Sequence, residues 1–281
     1  MREIEACRIT QEIKRLILEA SYRIGPDVDS AIRAAAETDP SPTARAVLRQ
    51  LAENYEIART ESVAICQDTG MAIVFLDIGQ DVHVTGGSLS QAVDEGVRSA
   101  YRDGYLRKSV VRDPLYDRTN TQDNTPGVTH VQIVPGDRIG VTVTLKGFGS
   151  ENMSQIKMLV PADGESGVVD FAVRVAEQAG PNPCPPIILG VGIGGTFETA
   201  ALMAKRMTAR PIDQWNPDPR YAALEKKICD RINALGIGPA GTGGRTTCLK
   251  VSIETCPTHI AGMPVAVNVC CHAARHAHGV I

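Results

Sequence analysis

Aromatic side chains are scarce, at 4% of 281 residues, so the core must be built from Ala, Val, Ile and Leu. No apolar run approaches the roughly 18 residues that a membrane span needs. The opening stretch, Met1–Thr10, lacks the apolar centre of a secretory signal. An excess of one charge is missing too: 29 basic against 32 acidic side chains leave −3, which calls for neither nucleic acid nor an anionic membrane as partner. No two cysteines show Cys-x-x-Cys spacing, which argues against a zinc ribbon or a thioredoxin-type redox motif. No low-complexity linker and no fixed repeat divides the chain. These absences describe a cytoplasmic chain, long enough to bury one large core or two modest ones.

What is present reads as an α+β fold: an N-terminal helical region, roughly residues 1–60, followed over 61–281 by mixed α/β with short sheets flanked by helices. Ile9, Ile13, Leu16, Ile17 and Ala20 recur at helical spacing until Gly25-Pro26. Further helices are expected over Ser30–Glu37 and from Ser41-Pro42, a cap and first-turn pair. Ala72–Ile78 reads as a strand, and Ser88–Tyr101 as a helix with capping-box spacing from Ser88 to Gln91. Val131–Val134 and Ile139–Leu145 read as strands joined by a Pro135-Gly136-Asp137 turn. Helices are then expected over Val168–Ala179, Glu198–Met207 and Pro219–Leu235. Ile187–Leu189, Thr246–Glu254 and Met263–Cys270 have strand character. Pro211–Pro219 is the one loose candidate for an internal boundary.

Five segments are polar and rich in Gly or Pro where a packed core wants neither. They are Cys66–Gly70, Arg118–Pro126, Lys146–Asn152, Pro183–Pro186 with the glycines that follow, and His259–His272. Eight cysteines in a reducing compartment leave thiols free for metal. Three of them, Cys66, Cys184 and Cys271, lie in such irregular segments, with Cys256 and Cys270 competing for the third place. Three thiolates on a four-iron cluster leave one iron open as a Lewis acid toward a substrate oxygen. Cys7, Cys229 and Cys248 read as small buried hydrophobes.

Arg118 can clamp a carboxylate through parallel hydrogen bonds, with Asn120, Asn124 and neighbouring threonines completing the shell. Asp68 and Glu151 are possible acid/base groups, and His259 can titrate near neutrality or donate to a carboxylate. His276 and His278 read as a solvated C-terminal end. Gly190-Val191-Gly192-Ile193-Gly194-Gly195 fits the dinucleotide pattern Gly-x-Gly-x-x-Gly, with Asp213 near the distance for a ribose contact. Against that reading, Arg210–Trp215 is too short and polar for a second strand, and Cys-Pro-Pro is an odd opening for a central parallel one. The glycines more readily let backbone approach something closely.

Taken in order, Cys66-Gln67-Asp68-Thr69-Gly70, Arg118–Pro126, Cys184-Pro185-Pro186 and Gly241-Thr242-Gly243-Gly244 resemble the α subunit of iron–sulfur (class I) fumarate hydratases and their tartrate dehydratase relatives, over nearly the whole chain. The resemblance implies a [4Fe–4S] cluster on Cys66, Cys184 and Cys271. It selects Cys271 over Cys270 because Cys271-His272-Ala273-Ala274-Arg275 fits the family's last ligand segment. It places His259 at an active-site histidine, and Gln67, Asp68 and Arg118 at contacts to a small dicarboxylate. Gly147 or Gly149 matches a backbone contact, with Phe148 departing from the more usual glycine run. It also implies a hydro-lyase acting on fumarate/(S)-malate or L(+)-tartrate, active only with a separate β subunit, as α2β2. The catalytic partner domain of single-chain relatives is absent from residues 1–281. Two readings of other classes remain: an NAD-dependent oxidoreductase built on Gly190–Gly195, and a non-catalytic iron–sulfur module.

Overall fold

The N-terminal helical periodicity becomes three helices in the computed structural model, which describes residues 1–281. A short strand, β1 (Arg2–Glu5), precedes α1 (Ala6–Tyr22), α2 (Pro26–Thr38) and α3 (Pro42–Glu61). α1 buries Ile9, Ile13, Leu16, Ile17 and Ala20, the stripe that 3.6-residue spacing puts on one face. Pro26 does more than end a segment: it opens α2, where a missing N–H costs no hydrogen bond. Ser41 caps α3 by accepting from Ala44 N at 3.3 Å.

The chain continues through β2 (Met71–Gly79), β3 (Val82–Thr85), α4 (Leu89–Asp103), β4 (Val128–Val134), β5 (Ile139–Lys146) and α5 (Phe148–Glu151). Then come β6 (Gln155–Leu159), α6 (Gly164–Ala179), β7 (Ile187–Gly194), α7 (Phe197–Met207) and α8 (Pro219–Asn233), and finally β8 (Cys248–Cys256), β9 (Met263–Cys270) and β10 (His276–Val280). This is an α+β fold. The elements sort into two compact units: Met1–Ile24 with Tyr55–Gly147 and Arg275–Ile281, and Gly25–Asn54 with Phe148–Ala274. Pro211–Pro219 lies inside the second unit and marks no boundary. No helix is long and apolar enough to cross a membrane.

In the first unit the sheet order is β10-β5-β2-β4. β4 and β5 are joined by the expected turn but do not pair. β2 lies between them, parallel to β4 and antiparallel to β5. Val74 and Leu76 of β2 share a core with Ile13 and Leu16 of α1 and with Val97 and Tyr101 of α4. The Ser88–Gln91 capping box does not form; the Ser88 hydroxyl meets that of Ser90 at 3.0 Å instead. The C-terminus is no solvated tail either. β10 pairs antiparallel with β5, Ala277 is buried, and Ile281 exchanges both backbone hydrogen bonds with Ile139. An unpaired β5 edge supplies the donors and acceptors that draw it in.

In the second unit the order is β6-β9-β7-β8, with β7 parallel to β8 and antiparallel to β9. Leu189 and Val191 point into a core with Val168 and Ala172 of α6 and Leu224 and Ile228 of α8. The alternate residues, Gly190 and Gly192, face α7. A methyl group on Gly190 would lie 1.9 Å from the Ala204 carbonyl oxygen, and one on Gly192 2.2 Å from that of Ala200. The glycine run is therefore mostly strand, bare so that a helix can sit directly on it. A dinucleotide loop needs those glycines in the strand-to-helix turn, so the NAD-dependent oxidoreductase reading loses its geometric basis.

Candidate functional site

In the first unit, Cys66, Gln67 and Asp68 lie in the irregular segment between α3 and β2. Cys66 is half-buried and Gln67 exposed. The segment's far end is pinned from several sides. The Thr69 hydroxyl donates to Arg107 O at 2.6 Å, and the Tyr101 hydroxyl lies 3.0 and 2.8 Å from the carbonyls of Thr69 and Gly70. Burial raises the Tyr101 phenol well above its ordinary range, so it stays a donor. Asp68 accepts from Gly70 N through Oδ1 at 3.0 Å, a turn closed by its own side chain. Its backbone carbonyl accepts from Arg275 Nη1 at 2.6 Å. Gly147, buried at the end of β5, lies against both groups: a Cβ there would be 3.1 Å from Asp68 Oδ2 and 3.3 Å from Arg275 Nη2.

Arg118 is exposed in a loop of the same unit, with Nη1 donating to Pro114 O at 2.5 Å. The asparagines expected to complete a carboxylate shell serve the backbone instead. Asn120 bonds Lys108 O and Gln122 N. Asn124, fully buried at φ 64°, accepts from Ser109 N at 2.7 Å and donates to Gly70 O at 3.1 Å. A left-handed residue that satisfies two distant backbone groups is a brace.

In the second unit, Cys184 is exposed and has a left-handed backbone, φ 53°, unusual for a residue with a Cβ. Its N–H donates to Pro181 O at 3.0 Å, and its carbonyl lies 3.5 Å from His272 N. Cys271 is the first residue past β9 and is half-buried, so the loops of Cys184 and Cys271 meet. Cys270, its competitor, is buried inside β9 opposite Ile188. Cys256 closes β8 with Sγ against Gly195. His259 stands exposed in the β8–β9 loop, where Nδ1 accepts from Ala261 N at 3.2 Å, leaving its proton on Nε2 in the neutral form. Gly149 lies in α5, exposed.

Among the remaining thiols, Cys248 is buried and Cys229 half-buried, and burial raises the Cys248 thiol. Cys7 departs from the expected buried state: it is exposed, 3.3 Å from Glu5 Oε2, whose hydrogen bond raises it. No three His, Cys, Asp or Glu side chains are gathered around a point where a lone metal ion would sit. Glu151 pairs closely with Lys205 and accepts from Asn268 Nδ2 at 3.1 Å, so it is engaged in an ion pair. Sequence reasoning missed Asn124 as a brace and Arg275 as a buried cation. A charged residue set between Ala273-Ala274 and Ala277 was the available signal for the second.

A family model described as fumarate hydratase (Fumerase) matches residues 10–280. The chain belongs to that family. Its members are lyases that add or remove water. The chain is 37% identical over 274 residues to a Methanocaldococcus jannaschii protein named "Putative L(+)-tartrate dehydratase subunit alpha", covering 96% of each. It is 30% identical over 272 residues to the L(+)-tartrate dehydratase subunit alpha of Escherichia coli strain UTI89, covering 95% of this chain and 89% of that protein. Both relatives are named as one subunit of a larger enzyme.

Proposed function

We propose that this chain is the α subunit of a two-subunit [4Fe–4S] hydro-lyase that reversibly hydrates fumarate to (S)-malate, working with a β subunit in an α2β2 assembly. The supporting observation is the state of Cys184: an exposed thiol on a left-handed backbone, with its carbonyl beside the first residue after Cys271. Strained, exposed cysteines flanked by prolines are unsuited to core packing and suited to holding metal. Cys66, Cys184 and Cys271 all lie outside regular elements, whereas Cys229, Cys248 and Cys270 lie within them. The donor set therefore fits three thiolate ligands. Bound there, a cluster would supply one iron without a protein ligand as a Lewis acid toward the substrate hydroxyl.

The chain's own residues then handle charge and protons. The Arg118 guanidinium clamps a substrate carboxylate in exchange for the Pro114 carbonyl, a charge-assisted contact replacing a weaker one. Gln67 contributes an amide to the same anion, and backbone at Gly147 or Gly149 approaches it closely. His259, with Nε2 carrying the proton, donates to a carboxylate. Asp68, oriented by Gly70 N–H, relays protons to a general base on the β subunit.

A second reading, L(+)-tartrate dehydration, is favoured by the names of both relatives. Anaerobic co-expression with the β chain, iron and sulfide analysis, and assays on fumarate, (S)-malate and L(+)-tartrate test the proposal. Hydration of fumarate supports it, and turnover of tartrate alone selects the second reading. Cys184→Ser should abolish cluster and activity while Cys229→Ser retains both. Full activity in the Cys184→Ser protein would overturn the ligand assignment.

A further inference from the structure

We propose that Arg275 is a positioning residue that fixes the Cys66-Gln67-Asp68 turn in its ligand-presenting shape; this rests on the reading of Cys66 as a cluster ligand. Arg275 is 3% exposed, the one buried arginine of the chain. Its backbone is anchored first: its carbonyl accepts from Leu145 N at 2.9 Å, next to the β10–β5 pairing. From that fixed base Nη1 reaches the Asp68 carbonyl at 2.6 Å, and Nη2 lies beside Gly147. Asp68 is two residues from Cys66. The bonds from Tyr101, Asn124 and the Thr69 hydroxyl act on residues 69 and 70, downstream of Asp68. Arg275 is thus the tether closest to the thiol among these side chains.

A carbonyl can be tethered by a neutral donor, so a buried cation there needs its own reason. Enclosing a guanidinium is unfavourable unless its charge and donors are compensated, and Nε has no hydrogen-bond partner. The cation faces the Asp68 carboxylate across Gly147. Its partner Asp68 is two residues along the chain from one proposed thiolate, Cys66, and Arg275 itself follows another, Cys271, by four residues. Thiolates and a dicarboxylate are all anionic, and a positive charge held at the Cys66-Gln67-Asp68 turn offsets anionic charge gathered there. The arginine both ties the turn and offsets that charge.

The test uses the anaerobically loaded αβ enzyme, exposed to air under fixed conditions, with iron release and alkylation of buried Cys248 followed together. Arg275→Gln should release iron roughly tenfold faster than wild type, the consequence of losing a charge-assisted hydrogen bond. Arg275→Lys, which keeps the charge, should recover most of that, to about threefold. Cys248 labelling should stay at the wild-type rate, because a local tether and not the fold has been cut. Unchanged iron release in both variants overturns the inference, as does release that rises only in step with Cys248 labelling. If Arg275→Gln does not fold, Arg275→Lys decides: wild-type release overturns the inference, and faster release with Cys248 protected upholds it. A wild-type enzyme that holds no iron or sulfide refutes the ligand reading itself, a separate result.

Discussion

Replacing Gly190 by alanine adds one methyl group where the α7 backbone already sits. The new Cβ would lie 1.9 Å from the Ala204 carbonyl oxygen, 2.9 Å from Thr208 N and 3.0 Å from the Ala204 carbonyl carbon. Real contacts of this kind stay beyond about 3 Å, so strand and helix must part by roughly 1 Å. No rotamer relieves a clash between a Cβ and a main chain. Separation uncouples Ala200 and Ala204 from the sheet, where both are buried against Ala266. Overpacking of this sort costs about 1–3 kcal/mol, and backbone obstruction puts Gly190 at the upper end. Relief of glycine's conformational freedom in the unfolded chain returns only about 0.5–1 kcal/mol. The net expectation is about 2 kcal/mol of destabilisation, or roughly 4–8 °C in Tm for a unit of this size. Gly262→Ala is the control, since a Cβ there meets nothing within 4 Å; it should stay within about 0.5 kcal/mol of wild type. Urea unfolding at unchanged m separates the two. Equal midpoints for Gly190→Ala and Gly262→Ala would refute the assignment of this glycine to helix packing.

Asn124→Ala strands Ser109 N–H and places a Cβ-bearing residue without a polar side chain at φ 64°; a loss of about 2–4 kcal/mol in the same denaturation assay is expected. Asp39 supplies a pH signature. Burial would raise its carboxyl, but hydrogen bonds from Ser41 N, the Thr246 hydroxyl, Thr246 N and Arg245 N outweigh that and hold it below its usual value. Its contribution is therefore present above about pH 4 and fades as pH falls through the folded-state value. Stability should decline more steeply below about pH 4 in wild type than in Asp39→Asn, and parallel curves would contradict this. Lys250 and Glu225 form an unequal pair. Lys250 Nζ lies 3.6 Å from Glu225 Oε2 and 3.2 Å from the centre of the Trp215 ring, without a hydrogen bond, and burial lowers its pKa. Glu225 is also bound by Arg210, Ile253 N and Asn216 N. Lys250→Met should change stability by no more than about 1 kcal/mol, whereas Glu225→Gln, which leaves two cations uncompensated, should cost about 3–5 kcal/mol by chemical denaturation.

Elements governed by neighbours in sequence were legible without coordinates. The stripe of α1, the Ser41 cap, the apolar run of β2 and the strands after Thr246 follow from local period, cap chemistry and turn residues. Cys66, Cys184 and Cys271 were legible as thiols in segments unfit for a core. Partnership between distant segments was not. Whether β4 and β5 pair with each other or flank β2 depends on which edges are vacant once the helices have packed. His276–Val280 has the composition of a tail and becomes a strand because β5 offers an unpaired edge. Gly190–Gly195 satisfies a nucleotide-loop pattern letter by letter, yet Gly190–Gly194 is strand, because a pattern of glycines records only that something comes close. Here it is α7.

The sequence by itself determined the family, the helix and strand periods, and which cysteines stand outside regular structure, since these depend on residue identity and short-range spacing. Only the tertiary structure decided what buried polar groups such as Asn124 and Arg275 do. Their roles follow from carbonyls and N–H groups, Gly70 and Asp68 among them, tens or hundreds of residues away. A polar group removed from water takes its meaning from the partner that satisfies it, and that partner is chosen by the fold.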